Sequence, residues 1–139
     1  MLAGIAAYGC PPVAGAEPGM RVVTLDALSP LSARDEITRR LLSPLGLRAY
    51  EHEVATRHVQ VAEQTIAANA ERYDLFVPDL PADGRYGLVV FVSPFDGFAL
   101  PQGWASVLAR ENLVLVSARA SGNAQGMLER RVPLALNGY

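Results

Sequence analysis

Gly87-Leu88-Val89-Val90-Phe91-Val92 is a continuous run of strand-forming residues, and Ser93-Pro94 ends it. Leu113-Val114-Leu115-Val116 is a second run of the same kind. A strand that is apolar on both faces must be covered on both faces, as in a sheet that lies between helices. These two runs therefore predict a fold of the α/β class.

The segment between the two runs predicts one short helix. Trp104, Val107 and Leu108 have the i, i+3, i+4 spacing of a single helix face, and Arg110-Glu111-Asn112 closes the helix. Strand, helix and strand then form a βαβ crossover, which implies parallel strands and a right-handed connection. We expect both strands to be adjacent and central in the sheet. We also expect Trp104 to be substantially buried between its helix and the sheet.

The first half of the chain predicts a helix and two antiparallel strands. Ser32-Ala33-Arg34-Asp35 resembles a capping box, and the helix that follows it ends at Ser43-Pro44. Residues 58–66 and 72–77 alternate between apolar and polar side chains, as half-buried strands do. Because only Ala67-Ala68-Asn69-Ala70 separates these strands, we expect them to be antiparallel neighbours.

A last helix is predicted after the second apolar strand. It begins near Ser121-Gly122-Asn123, and Pro133 either kinks it or restarts it. One side of this helix is apolar and carries Met127, Leu128, Val132 and Leu136. Together with the helix at Trp104, it is expected to give the sheet helices on both faces.

The composition bounds the class of protein. Half of the 139 residues are apolar and 19% are charged, which fits one globular domain or part of a larger one. A net charge of −2 without a basic stripe argues against a nucleic-acid partner. No apolar run reaches the roughly 18 residues of a membrane-spanning helix, so no transmembrane segment is expected. Cys10 is the only cysteine, which excludes an internal disulfide within this sequence.

Residues 1–20 are predicted to be a signal-like or flexible N-terminal segment, and residues 21–139 to be the folded part. The first ten residues are apolar and uncharged, and Ala14-Gly15-Ala16 has small residues at the spacing that a signal peptidase recognises. The basic residues that open a signal peptide do not precede them. An exported and a cytoplasmic location therefore stay equally open.

The sequence contains no motif of a complete catalytic or cofactor site. It has no Gly-x-Ser-x-Gly, so no serine of this sequence stands on a nucleophile elbow. It has neither a Gly-x-Gly-x-x-Gly nor a phosphate loop, so no cofactor is expected. His52 and His58 lack the four-residue spacing of a zinc-binding helix, so no metal is expected either.

The loop that begins at Ser93 is the remaining candidate site. Ser93, Pro94, Phe95 and Asp96 follow the first buried strand at its carboxyl end, which is the edge where open parallel sheets bind ligands. Main-chain amides of this loop could stabilise a developing oxyanion. The alternative is an ordinary loop between a strand and a helix, with Phe95 and Phe98 packed inward.

From Arg72 to Leu136 the chain resembles the α/β-hydrolase esterases, in particular the bacterial group related to polyhydroxybutyrate depolymerases and feruloyl esterases. The resemblance covers about half of the chain. It is carried by the segments Arg72 to Pro78, Tyr86 to Pro94, Gly103-Trp104, Leu113 to Ala118 and Arg130 to Leu136. It implies a partial hydrolase-type sheet, with antiparallel lead-in strands followed by the parallel βαβ unit and helices on both faces.

The resemblance also implies a function, which is carboxylic ester hydrolysis by a serine nucleophile without a cofactor. On this hypothesis the chain is the N-terminal portion of the enzyme, inactive alone, and the serine, acid and histidine lie beyond Tyr139. Only the oxyanion loop, Ser93 to Asp96, carries over, and it departs from the His-Gly that relatives often have there. The whole enzyme would act on a small-molecule ester, and the open apolar face of the partial sheet makes self-association possible. The alternative function is a complete, non-enzymatic α/β module that binds a small ligand or a protein partner.

Overall fold

The computed structural model describes residues 18–58, 64–79 and 85–139. Its four strands form one mixed sheet in the order β1-β2-β4-β3, and they are β1 (Gly19–Thr24), β2 (Arg72–Val77), β3 (Gly87–Phe91) and β4 (Leu113–Ala118). β2 is antiparallel to both β1 and β4, whereas β3 and β4 are parallel. The chain therefore has an α/β fold, as predicted.

Four α-helices accompany the sheet: α1 (Arg34–Leu41), α2 (Pro44–Arg57), α3 (Trp104–Arg110) and α4 (Val132–Asn137). A 3₁₀ turn (Pro30–Ser32) precedes α1, and a π-helical turn (Met127–Arg131) precedes α4. Pro133 lies in the first turn of α4, so the last predicted helix restarts there, as the sequence allowed.

The capping of α1 and α2 differs from the prediction. Ser32 does not cap α1, because its hydroxyl donates a hydrogen bond to the carbonyl oxygen of Ser29 at 2.7 Å. Ser43-Pro44 ends α1 and also begins α2, a helix that the sequence analysis missed. The Ser43 hydroxyl accepts a hydrogen bond from the Gly46 N–H at 3.1 Å, and Pro44 supplies a first-turn proline.

Two apolar layers cover the two faces of the sheet. On one face Tyr73 and Ala118 pack against Leu134 of α4, and on the other Phe76 and Leu115 pack against Leu108 of α3. Successive residues of a strand point to opposite faces, so β2 and β4 each contribute to both layers. This arrangement puts helices on both faces of the sheet.

The parallel pair matches the prediction in part. β3 and β4 are adjacent and parallel, but β3 is an edge strand rather than a central one. β2 occupies the other side of β4, which leaves β3 with a single neighbour among the described strands. Leu88 is consequently 42% exposed.

The expected burial of Trp104 is wrong. Trp104 is 38% exposed and Val107 is 45% exposed, while Leu108 is the residue of α3 that enters the core. The seven-residue helix packs chiefly on β4. It is too short to cover the face of β3 as well, and the first turn, which carries Trp104, stays partly exposed. Trp104 contacts the ring of Phe91 edge-on, with ring centroids 5.9 Å apart.

The predicted strand at residues 58–66 is also wrong where the structure describes it. His58 ends α2 in a left-handed conformation (φ 50°), residues 59–63 lie outside the described part, and residues 64–67 form no strand. The antiparallel neighbour of β2 is instead β1, paired from Gly19 opposite Val77 to Thr24 opposite Arg72. Residues 19 and 20 of the predicted N-terminal segment thus belong to the sheet.

We predict that Leu115→Ala lowers the free energy of unfolding by about 2–5 kcal/mol, because Leu115 is fully buried between β2, β3 and α3. Leu45→Ala is the matched control, since Leu45 is 79% exposed on α2 and its truncation should cost no more than about 0.5 kcal/mol. Urea unfolding followed by circular dichroism measures both values. Equal losses in the two variants would contradict the described core.

Candidate functional site

The loops that follow β3 and β4 are joined at the carboxyl ends of the parallel pair. The Ala120 N–H donates to the carbonyl oxygen of Asp96 at 2.7 Å, and the Asn123 N–H donates to that of Pro94 at 2.8 Å. The Gly122 N–H donates to the Asp96 carboxylate at 3.1 Å. We call these three hydrogen bonds the loop clamp, and they fix the candidate loop relative to the sheet.

The Ser93 hydroxyl is fully used in hydrogen bonds to the main chain of its own loop. The residue is 2% exposed, and its hydroxyl donates to the carbonyl oxygen of Gly97 and accepts from the Phe95 N–H, both at 3.0 Å. The Phe95 amide is therefore occupied, and Pro94 has no N–H to offer. The N–H groups of Asp96 and Gly97 donate to no described residue, which makes them the donors this loop can present to a ligand.

A groove of about 640 Å³ lies beside the loop. Its lining is mainly apolar and consists of Phe91, Ser93, Pro94, Phe95, Gly97, Phe98, Ala99 and Pro101. Phe98 packs on Phe91 with ring centroids 5.2 Å apart, which agrees with the inward packing considered above. Phe95 does not pack inward, since it is 74% exposed at the rim of the groove.

The adjoining end of β4 carries a salt bridge. Asp74 of β2 lies opposite Ser117 of β4, and its carboxylate is buried. This carboxylate accepts a bifurcated hydrogen bond from the Arg119 Nε–H at 3.0 and 3.1 Å and a second hydrogen bond from Nη2 at 2.7 Å. Hydrogen bonding to this carboxylate, together with its negative charge, raises the pKa of Arg119. The Ser117 hydroxyl is fully buried and has no hydrogen-bond partner, so it belongs to the core rather than to an open site.

A buried ion pair between Glu71 and Arg130 contacts the loop clamp at Ala120. Arg130 binds the Glu71 carboxylate at 2.7 and 3.1 Å, and its Nε donates to the carbonyl oxygen of Ala120 at 2.7 Å. Ala120 is thereby held in a left-handed conformation (φ 51°) between Arg130 and Asp96.

Tyr73 lies beside this ion pair. Its burial, and in second place the negative charge of Glu71, raise the pKa of Tyr73. The Tyr73 hydroxyl donates a hydrogen bond to the Leu134 carbonyl oxygen at 2.9 Å.

Sequence reasoning missed this network, because no local pattern relates Glu71 to Arg130. The serines and histidines of the described residues also form no catalytic pair. His52 lies in α2 and His58 at its end, and the hydroxyls of Ser93 and Ser121 bond to main-chain groups. The described part of the chain thus holds unpaired main-chain N–H groups beside a groove, but no serine that a histidine could activate.

The described residues contain no group of three His, Cys, Asp or Glu side chains that could hold a metal ion. None of the helices within residues 18–58, 64–79 and 85–139 is long and apolar enough to cross a membrane. No protein-family model, curated protein or solved structure matches the chain.

We predict that Gly122→Ala opens the loop clamp. A Cβ at residue 122 would lie 2.8 Å from the carboxylate oxygen of Asp96 and 3.0 Å from its main-chain nitrogen, so the loops must separate. We expect a loss of about 1–3 kcal/mol in the free energy of unfolding, with faster hydrogen exchange at the Ala120 and Asn123 amides.

Gly97→Ala is the matched control for this variant. A Cβ at residue 97 meets no atom within 4 Å, so the substitution should leave both stability and exchange close to those of the wild type. An equal effect of the two substitutions would show that the close approach at Gly122 is not what holds the loops together.

Proposed function

We propose that this chain forms the N-terminal part of a serine esterase of the α/β-hydrolase type. The observation that carries the proposal is the sheet: an antiparallel pair, β1 and β2, is followed by the parallel pair β3 and β4, which α3 connects. On this proposal, the loop after β3 is the oxyanion loop of the hydrolase. Its position at the carboxyl end of a parallel strand also suits a ligand site.

The open edge of β3 supports the same proposal. Leu88 on β3 and Trp104 and Val107 on α3 are large apolar residues that remain exposed beside this edge. Exposed apolar side chains beside an unpaired strand are typical of a surface that another segment covers. On our proposal, a further strand of the same domain pairs with β3 and brings the serine nucleophile to the candidate loop.

The chain's own part in the reaction is to bind and to stabilise charge. When a serine attacks an ester, the carbonyl oxygen becomes an oxyanion that needs preorganised N–H donors. The Asp96 and Gly97 amides are available for this role, because the loop clamp uses the Asp96 carboxylate and carbonyl but not its N–H. The groove beside Phe91 and Phe98 offers an apolar surface to the rest of the substrate.

A second candidate function is a non-enzymatic α/β module that binds a small ligand or a protein partner. Exposure of Phe95 at the rim of the groove favours it, since a 74% exposed aromatic side chain is well placed to contact a partner. The Ser93 turn also occupies one amide that an oxyanion loop would otherwise offer. The two candidates differ in whether a nucleophile ever reaches this loop.

Labelling with a fluorophosphonate probe distinguishes the two functions. We expect the isolated 139-residue chain to show no labelling and no ester turnover above a protein-free blank, because residues 18–58, 64–79 and 85–139 hold no serine that a histidine could activate. The product of the complete reading frame that contains this chain should be labelled at a serine in a Gly-x-Ser-x-Gly outside these residues. An unlabelled complete product would favour the binding module, and labelling of a serine within residues 1–139 would contradict both functions.

In the complete product, Asp96→Pro tests the oxyanion role. Proline removes the N–H at this position, and loss of one oxyanion donor lowers kcat by about 10²–10³-fold. Asp96→Ala keeps the N–H and removes only the carboxylate, so its kcat should fall less. Equal kcat values in the two variants would show that the amide of Asp96 stabilises no oxyanion.

A further inference from the structure

The Asn137 side chain joins the end of α4 to the segment before α1. It is 8% exposed, and both ends of its carboxamide form hydrogen bonds with the main chain. Its Oδ1 accepts from the Ser29 N–H at 2.6 Å, and its Nδ2 donates to the carbonyl oxygen of Pro133 at 2.9 Å. The contact with Ser29 spans 108 positions of the sequence, so Asn137 holds together segments that are far apart in the chain.

Gly138 follows Asn137 and lies against β4. A Cβ at residue 138 would lie 3.1 Å from Cγ1 of Val116, so a larger residue would crowd the sheet. The Gly138 N–H donates to the carbonyl oxygens of Leu134 and Ala135, at 3.1 and 3.2 Å, and so continues the hydrogen bonding of α4. Packing therefore favours an asparagine followed by a glycine at the end of α4.

An asparagine that precedes a glycine is chemically labile, because a residue without a side chain hinders the reaction least. The main-chain nitrogen of Gly138 gives up its proton and attacks Cγ of Asn137, which closes a succinimide ring, and the side-chain nitrogen takes up a proton and leaves as ammonia. Water then opens the ring to an aspartyl or isoaspartyl residue. Asn137 is the only asparagine in the sequence that a glycine follows.

We propose that Asn137-Gly138 is a deamidation site that α4 protects while it is packed on the sheet, and that deamidation of an opened molecule prevents α4 from packing again. In the folded chain two hydrogen bonds fix the carboxamide of Asn137, and the Gly138 N–H points into the helix. Ring closure therefore requires the last turn of α4 to unwind. The inference is independent of the proposed esterase function, because it uses no residue of the candidate loop.

The product of the reaction cannot restore both hydrogen bonds of Asn137. A carboxylate has no donor for the Pro133 carbonyl oxygen, so two acceptors would face each other where the Asn137 Nδ2 donates at 2.9 Å. The new negative charge also lies in the last turn of α4, at the negative end of the helix dipole. The isoaspartyl form adds a methylene to the main chain, which interrupts the helix. Deamidation therefore removes a molecule from the folded population.

The test is peptide mass spectrometry of the 139-residue chain after incubation at one mildly alkaline pH, with and without urea that unfolds it. In urea, Asn137 should deamidate faster than Asn123, which an alanine follows. In the folded chain, Asn137 should deamidate at least about tenfold more slowly than in urea. Equal rates at Asn137 in the two conditions would show that α4 gives no protection. A slower reaction at Asn137 than at Asn123 in urea would show that the site is not labile.

Tyr73→Phe tests whether the packing of α4 controls the rate. It removes the buried hydrogen bond from the Tyr73 hydroxyl to the Leu134 carbonyl oxygen, so α4 should open more often and Asn137 should deamidate about 2–10-fold faster without urea. Tyr139→Phe is the matched control, because Tyr139 is 82% exposed, and its rate should stay within about twofold of the wild type. An unchanged rate in Tyr73→Phe would contradict the proposal.

Asn137→Asp tests the second part of the proposal, because it reproduces one product of the reaction. At a given urea concentration it should raise the ratio of unfolded to folded chain at least about tenfold. Asn123→Asp, at an exposed residue, should change this ratio by no more than about twofold. Failure of Asn137→Asp to fold would agree with the proposal when Asn123→Asp folds. Wild-type stability of Asn137→Asp would overturn it.

Discussion

The antiparallel pairing of β2 with β4 is the interaction on which the rest of the structure depends. It joins residues that are about 40 positions apart and places Tyr73 opposite Ala118 and Phe76 opposite Leu115. The first pair enters the layer beneath α4 and the second enters the layer beneath α3. Because β2 occupies one side of β4, β3 pairs with the other side of β4 and lies at the edge of the described sheet. The edge position of β3 in turn leaves the loop after it accessible.

The sequence predicts the local elements and the adjacent parallel pair β3 and β4 well, but it does not predict the edge position of β3 or the strands that pair with β2. Apolar runs and helical spacing are local signals, and they predicted β3, α3, β4 and β2 at close to their observed bounds. Strand order depends on pairing between distant segments, which periodicity does not encode. An apolar run predicts that a strand is buried on both faces, but it does not predict which other segments of the chain bury it. The same limit explains why the sequence does not predict β1 and favours residues 58–66 as the partner of β2.

The site shows the same division between local and distant signals. The end of a buried parallel strand indicated where a loop suited to a ligand would lie. Which of its amides can act as donors depends on the Ser93 hydroxyl and on the loop after β4, and neither contact is visible in a spacing pattern. The adjacent residues Arg130 and Arg131 are an even clearer example. Arg130 is buried in an ion pair with Glu71, whereas the Nε of Arg131 is buried without a hydrogen-bond partner among the described residues.

Amide hydrogen exchange along β3 and β4 tests the described sheet most directly, since the positions of the candidate loop and of the open edge both follow from it. The inner strand β4 should exchange only on global unfolding. Successive amides of an edge strand point alternately toward its neighbour and away from it, so β3 should show alternating slow and fast exchange. Uniform protection of successive β3 amides would mean that a second strand already pairs with this edge. Rapid exchange in β4 would mean that the order β1-β2-β4-β3 is wrong.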